Sequence, residues 1–172
     1  YLNYAGAPWL AEMVDRKGIV YLRTTRMKTR VIYEAGEQFP IGGSRLLRQS
    51  GEDRGTLVGA GVTTHEALRA ADLLVAQGIR ARVIDCYSIK PIDARTLQEA
   101  ARATGGRVVV AEDHWPEGGL GDAVMEALTD PAFMQAGLSP MVRRLAVRVM
   151  PGSATPAEQL EAAGIAARHI AA

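Results

Sequence analysis

The feature that most constrains the fold is a regular alternation of short apolar runs with helix-like segments from residue 45 onward. Strands that alternate with helices in this way form a parallel sheet through right-handed crossovers, with helices on both faces. Runs that are apolar on both sides suit a sheet that is covered on both faces. We therefore predict an α/β fold. The predicted strands lie at 55–60, 82–86, 108–110 and 142–149.

Local signals indicate where the first of these elements begin and end. Arg45–Arg48 is predicted to be a short edge strand. Thr63 and Glu66 have the spacing of a capping box at the start of a helix. The preceding run Gly59-Ala60-Gly61 has Thr64 where a dinucleotide-binding loop would have its third glycine. We therefore favour a tight strand-to-helix turn over a dinucleotide site.

Composition excludes several classes of protein. A net charge of +1 over 172 residues gives no reason to expect a nucleic acid or a membrane as partner. No apolar stretch approaches the roughly 20 residues of a membrane span. Cys86 is the single cysteine and ends an apolar run, so we expect it to be buried and not disulfide-bonded. That usage fits a reducing compartment, and we expect a cytoplasmic protein.

The first 26 residues follow a different pattern. They predict a helix over 7–17 and a strand over 19–23, which the mixed, polar stretch 27–43 separates from the rest. One helix and one strand bury too little surface to be stable alone, so we infer that they are the tail of another domain. The chain starts with neither a signal peptide nor a methionine, and we expect a processed chain or a fragment.

The run Arg23-Thr24-Thr25-Arg26 begins at the last residue of the predicted strand. Two guanidinium groups and two hydroxyls at a strand end are suited to hold a phosphate through charge-assisted hydrogen bonds. The same residues are equally typical of the solvated start of a linker, and the sequence leaves both interpretations open.

The second candidate site is the run Glu112-Asp113-His114-Trp115-Pro116-Glu117-Gly118-Gly119-Leu120-Gly121, which falls at a strand-to-helix turn. Open α/β sheets meet their ligands at such turns. A neighbouring carboxylate could orient and charge the imidazole of His114. Alternatively, these groups cap the following helix and tie the loop to a neighbouring chain. We find no nucleophile beside His114, and its role stays open.

Four segments, taken together and in order, resemble the C-terminal part of transketolase over about residues 17–170. Related domains occur in 1-deoxyxylulose-5-phosphate synthase and in the beta subunits of 2-oxo acid dehydrogenases. The Glu-Asp-His run followed by Glu-Gly-Gly is most similar to transketolase itself. The four segments are Leu22-Arg23-Thr24-Thr25-Arg26, Val58 to Ala67, Asp85 to Asp93 and Glu112 to Gly121.

The resemblance implies a three-layer α/β/α sandwich. Its five-stranded sheet is mostly parallel, with one antiparallel edge strand, which would be Arg45–Arg48. The resemblance also implies a division of the chain. Residues 1–28 would be the end of an incomplete pyrimidine-binding domain, 29–43 a linker, and 44–172 the transketolase C-terminal domain.

The resemblance further implies a C-terminal fragment or subunit of an enzyme that transfers a two-carbon ketol unit between sugar phosphates. Thiamine diphosphate supplies the carbanion chemistry, and Mg²⁺ or Ca²⁺ holds its diphosphate. Arg26 matches the family's substrate-phosphate arginine, whereas Glu112, Asp113 and His114 are expected at a loop or interface. No catalytic, cofactor-binding or metal-binding residue is carried over. The family's Gly-Asp-Gly motif for the metal and the diphosphate is not found, since Gly121-Asp122 continues with Ala123.

The implied partners are the missing diphosphate-binding and pyrimidine-binding domains, in the same chain or in a separate subunit, and a second copy in a homodimer. The chain alone is expected to be inactive, with a structural role that supports the dimer. Two alternatives stay open. One is a stand-alone interaction or regulatory module of the same fold; the other is the C-terminal part of a 2-oxo acid dehydrogenase beta subunit or of 1-deoxyxylulose-5-phosphate synthase.

Overall fold

The computed structural model describes residues 10, 12–25, 27–34, 36–135 and 137–172. Its centre is a five-stranded sheet with the strand order β1-β3-β2-β4-β5. The edge strand β1 is antiparallel to β3, and the other neighbours are parallel. The predicted mixed sheet with an antiparallel edge strand is confirmed. The strands are β1 (Arg45–Arg48), β2 (Gly55–Gly59), β3 (Ala81–Asp85), β4 (Arg107–Ala111) and β5 (Met141–Leu145).

Helices cover both faces of this sheet because the strand side chains alternate between two apolar clusters. Leu57 and Val83 pack on one face with α1 and α6. Val58, Ile84 and Cys86 pack on the other face with α2, α3 and α4. Cys86 is fully buried, and burial raises the pKa of its thiol. The helices are α1 (Val62–Val75), α2 (Ala94–Ala103), α3 (Leu120–Leu128), α4 (Pro131–Met134), α5 (Pro156–Ala162) and α6 (Ala167–Ala171).

The segment before residue 26 differs from its prediction. Residues 10 and 12–14 are helical, but 19–23 form no strand. A strand needs a neighbour to pair with, and the side chains of Ile19 and Tyr21 lie in solvent. The apolar, β-branched pattern was therefore insufficient to define a strand here. Within the described residues, no helix has both the length and the apolar character needed to cross a membrane.

The predicted capping box at the start of α1 is wrong. The hydroxyl of Thr63 bonds with the backbone of Ala60, at 3.0 Å from its N–H and 3.1 Å from its carbonyl. The carboxylate of Glu66 instead accepts the N–H of Ala167 at 2.8 Å, which is the first residue of α6. Glu66 thus provides an acceptor for a free N–H at the start of α6, 101 residues further along the chain.

The stretch that precedes β1 packs on the sheet although it has no regular secondary structure. The rings of Tyr33 and Phe39 meet edge to face with centroids 4.7 Å apart, and Phe39 meets Tyr87 in the same way at 5.2 Å. The hydroxyl of Tyr33 donates to the buried carboxylate of Asp85 at 2.5 Å. The predicted domain boundaries at 28 and 43 stay predictions.

Candidate functional site

The candidate site is the turn that joins β4 to α3, at the carboxyl ends of the parallel strands. The N–H of Glu112 donates to the carbonyl of Leu145 at 2.9 Å, and the N–H of Val147 donates to the carbonyl of His114 at 2.9 Å. These two bonds continue the pairing of β4 and β5 beyond the ends of both strands. The backbone from 112 to 114 is therefore held on the sheet.

The side chain of Glu112 lies under the start of α3 and is only 3% exposed. Its Oε1 accepts the N–H of Gly121 at 3.2 Å. This close approach requires two glycines. A Cβ on Gly119 would collide with the carboxylate of Glu112, and a Cβ on Gly121 would lie 2.6 Å from Oε1. The Gly-Gly-Leu-Gly run thus makes room for a buried carboxylate at the positive end of a helix.

Arg144 on β5 ties the turn to the helix. Its Nη1 lies 2.8 Å from Oδ1 of Asp122, its Nη2 lies 3.7 Å from Oε1 of Glu112, and it donates to the carbonyl of Pro116. Asp122 also accepts the N–H of Gly118 at 2.6 Å. That bond and the nearby Arg144 guanidinium lower the pKa of Asp122. Both carboxylates at the start of α3 are therefore engaged within the domain.

Sequence reasoning did not single out Arg144. A usable signal was present, because an arginine within a predicted apolar strand must find a partner when it is partly buried. The identity of that partner depends on which strand lies next to β5 in the sheet, because Arg144 contacts the turn that follows that strand.

Burial raises the pKa of the Glu112 carboxyl above its ordinary value of 4.5, and outweighs the opposing effects of the Gly121 N–H and of Arg144. The folded protein therefore keeps this proton to higher pH than the unfolded chain does. Within the window from 4.5 up to the raised value, the folded state binds more protons, so stability falls as pH rises.

Glu112→Gln removes this titration, so we expect its free energy of unfolding to vary less with pH in that window. The slope that one carboxyl contributes is at most about 1.4 kcal/mol per pH unit. Urea denaturation at closely spaced pH values between 4 and 7 measures it. Glu117→Gln, at an exposed position of the same turn, is the matched control. Parallel stability curves for Glu112→Gln and the unsubstituted protein would contradict the prediction.

The imidazole of His114 is exposed, and its Nδ1 lies 2.7 Å from the carbonyl oxygen of Trp115. A carbonyl oxygen only accepts, so this contact assigns the proton to Nδ1. The ring is therefore oriented by a backbone carbonyl. The expected roles of Glu112, Asp113 and His114 at a loop or interface stay predictions.

The structure brings together two groups that the sequence analysis considered separately. Nη2 of Arg23 lies 3.6 Å from Oδ2 of Asp113, so the segment after the predicted strand contacts the acidic turn. Arg26, the predicted substrate-phosphate residue, lies outside the described residues.

The described residues do not fit a metal-held diphosphate. No group of three or more His, Cys, Asp or Glu side chains among them could hold a metal ion. Asp122, which stands closest to the family's Gly-Asp-Gly pattern, is engaged by Arg144 and by the N–H of Gly118.

Comparison with protein families gives a match over most of the chain. The family model described as transketolase, C-terminal domain, matches residues 43–170. Transketolase-like protein 2 of Mus musculus is 50% identical over 159 residues, which are 92% of this chain and 24% of that protein. Transketolase of Homo sapiens is 43% identical over 151 residues, which are 88% of this chain and 23% of that protein. The chain thus spans about a quarter of the length of these curated relatives.

Solved structures agree with this match. A structure described as a split gene transketolase, inactive beta4 tetramer, has a TM-score of 0.82 and 37% identity, and covers 98% of this chain and 54% of that chain. A transketolase from Leishmania mexicana has a TM-score of 0.56 and 17% identity, and covers 76% of this chain and 17% of that chain. At that identity, the second structure supports the fold alone.

Proposed function

The chain belongs to the transketolase family through its C-terminal domain, and from this premise we propose that the intact protein transfers a two-carbon ketol unit between sugar phosphates. The observation that carries the proposal is the 43% identity to human transketolase over 88% of this chain. The names of these relatives favour a transketolase over a 2-oxo acid dehydrogenase or 1-deoxyxylulose-5-phosphate synthase.

In this proposal, thiamine diphosphate supplies the carbanion chemistry, and Mg²⁺ or Ca²⁺ holds its diphosphate on the diphosphate-binding and pyrimidine-binding domains. Those domains belong to the same chain or to a separate subunit, and the active form is a homodimer. We assign no step of the reaction to the described residues of this chain. Their contribution is a rigid domain that packs beside the other two and supports the dimer.

The test is ketol transfer by the intact protein from a ketose phosphate to an aldose phosphate, with thiamine diphosphate and Mg²⁺ present or omitted. We expect turnover that requires both additions, and no turnover by residues 1–172 alone. Tight binding of thiamine diphosphate to residues 1–172, measured by calorimetry, would contradict this division of roles. Absence of transfer by the intact protein under all conditions would contradict the proposed activity.

Arg26→Ala is expected to weaken binding of the phosphorylated substrate in the intact enzyme. Hydrogen bonds to a charged group contribute about 1.5–3 kcal/mol, which corresponds to a roughly 10- to 150-fold rise in KM for ribose 5-phosphate. We expect a small change in kcat and no change in KM for ribose, which has no phosphate. Arg30→Ala, four positions along the same segment, is the matched control. Equal losses with ribose and ribose 5-phosphate would argue against a phosphate contact.

A second candidate function is a catalytically silent assembly of this domain. It is favoured by the 37% identical structure, which its description calls an inactive tetramer of one chain type. Light scattering of purified residues 1–172 would show whether this chain also associates with itself. Ketol transfer that appears only when the complementary domains are mixed with such an assembly would show that the assembly is an inactive form of the proposed enzyme. If no mixture shows ketol transfer, the catalytically silent assembly is favoured.

A further inference from the structure

A groove lies on the surface between the turn that follows β4 and the segment that follows β5. Its lining residues are Trp115, Pro116, Glu117 and Arg148. The carboxylate belongs to the turn and the guanidinium to the segment after β5, so two distant parts of the sequence contribute opposite charges. The groove therefore combines apolar surface with one charge of each sign.

Both segments that form the groove are held on the domain. The N–H of Val147 donates to the carbonyl of His114 at 2.9 Å. The guanidinium of Arg144, in β5, donates to the carbonyl of Pro116. These bonds fix the backbone on both sides of the groove, so a partner that fills it does not have to order these segments first.

The two charges of the groove differ from the charges beside them. Arg144 is paired with Asp122 within the domain. Among the residues that the structure describes, neither Glu117 nor Arg148 forms an ion pair, with each other or with another side chain. Both side chains are exposed, so charged groups on a second molecule can reach them.

Exposed apolar side chains adjoin these charges. Trp115 is 44% exposed, and Val149 and Met150, which directly follow Arg148 in the chain, are 62% and 83% exposed. Large apolar side chains that gather on a surface mark contacts with other proteins. Trp, Met and Arg are enriched in such interfaces, where Trp and Arg often contribute most of the binding energy. This composition favours a protein as the partner.

The charge pattern indicates which protein this is. A partner with a single sign of charge would leave either Glu117 or Arg148 without a counter-charge. A second copy of this chain offers both signs, because a two-fold axis places each residue of one copy opposite its exchange partner on the other. Glu117 of each copy then faces Arg148 of the other, and the apolar side chains of both copies become covered.

We propose that this groove is an interface between two copies of the chain, in which Glu117 of each copy pairs with Arg148 of the other. The inference rests on the self-association that the second candidate function requires, and it names the surface responsible. It does not depend on ketol transfer.

The test is sedimentation equilibrium of the 172-residue chain with either charge reversed. Glu117→Arg and Arg148→Glu each bring like charges together at both ends of a two-fold interface. We therefore expect either variant to raise the dissociation constant about tenfold or more at low ionic strength. The rise should shrink in concentrated salt. An equimolar mixture of the two variants should associate again, because the heterodimer restores both unlike pairs, and so should the double variant.

Matched controls reverse charges or remove apolar surface outside the groove. Arg95→Glu and Glu99→Arg, at an exposed pair on α2, change the net charge by the same amounts and should leave the dissociation constant unchanged. Trp115→Ala should raise the dissociation constant about tenfold or more, because it removes the aromatic side chain of the interface. Leu73→Ala is its control, since Leu73 has the same 44% exposure on α1.

A chain that stays monomeric at millimolar concentration would overturn the inference. Self-association that both charge reversals leave unchanged would overturn it as well, since another surface would then be responsible. A monomeric chain whose groove variants lose binding to the complementary domains would assign the groove to those domains instead. Absence of ketol transfer by the intact protein would overturn the proposed enzyme and leave this interface standing.

Discussion

Gly59→Ala is expected to lower the free energy of unfolding by about 3 kcal/mol, the upper range for overpacking a core. Gly59 ends β2, directly under the first turn of α1. A Cβ placed there would lie 2.6 Å from the N of Thr64, and 2.7 Å and 2.8 Å from the carbonyl C and O of Thr63. All three are backbone atoms, so no side-chain rotation can relieve the contact. The helix would have to move away from the sheet.

Gly55→Ala is the matched control, because Gly55 begins the same strand. The nearest atom to its added Cβ would be the carbonyl O of Arg107 at 3.8 Å, an ordinary contact. Urea denaturation of both variants should show a loss within about 0.5 kcal/mol for Gly55→Ala. Equal stabilities of the two variants would contradict the packing proposed for Gly59. The same close approach explains why Gly59-Ala60-Gly61 is a strand-to-helix turn.

Asp85→Ala is expected to cost about 2–6 kcal/mol, because it leaves two buried hydroxyl groups without their acceptor, at about 1–3 kcal/mol each. Asp85 is fully buried at the end of β3. Its Oδ2 accepts the Tyr33 hydroxyl at 2.5 Å, and its Oδ1 accepts the Thr64 hydroxyl at 2.8 Å. One carboxylate therefore joins the stretch before β1, the sheet and the first turn of α1.

Tyr33→Phe removes only one of these bonds, and we expect a loss of about 1–2 kcal/mol. Proteolysis between residues 28 and 34 should become faster in both variants, because the stretch before β1 loses its polar anchor. Asp72→Ala is the control for the loss of an exposed carboxylate, with an expected cost below about 1 kcal/mol. An Asp85→Ala variant as stable as Asp72→Ala would contradict the structural role of Asp85.

The sequence and the structure agree where periodicity alone decides the outcome. The alternating side chains of β2 and β3 and the helix that follows β4 were predictable, because burial on two faces leaves a clear pattern along the chain. Agreement fails at residues 19–23, where a β-branched run has no strand to pair with. It also fails at Glu66, whose partner is the N–H of Ala167 instead of its own helix start.

For the candidate site, the sequence located the turn and the residue types but not their partners. The motif predicted that Glu112, Asp113 and His114 share one turn. It did not show that Glu112 is buried under α3, nor that Asp113 faces Arg23. The sequence did not identify Arg144 as part of the site, because an arginine in an apolar strand indicates that it has a polar partner but not which residue that partner is.

The sequence by itself thus determined the α/β architecture through local periodicity and the family through short ordered motifs. The antiparallel orientation of the edge strand followed only from the resemblance to that family. Only the tertiary structure decided what each charged group does. Glu66, Asp85, Glu112 and Arg144 all find partners outside their own helix or strand. The physical reason is that a polar side chain taken out of water must be hydrogen-bonded or paired, and its partner is set by which distant segments the fold brings into contact.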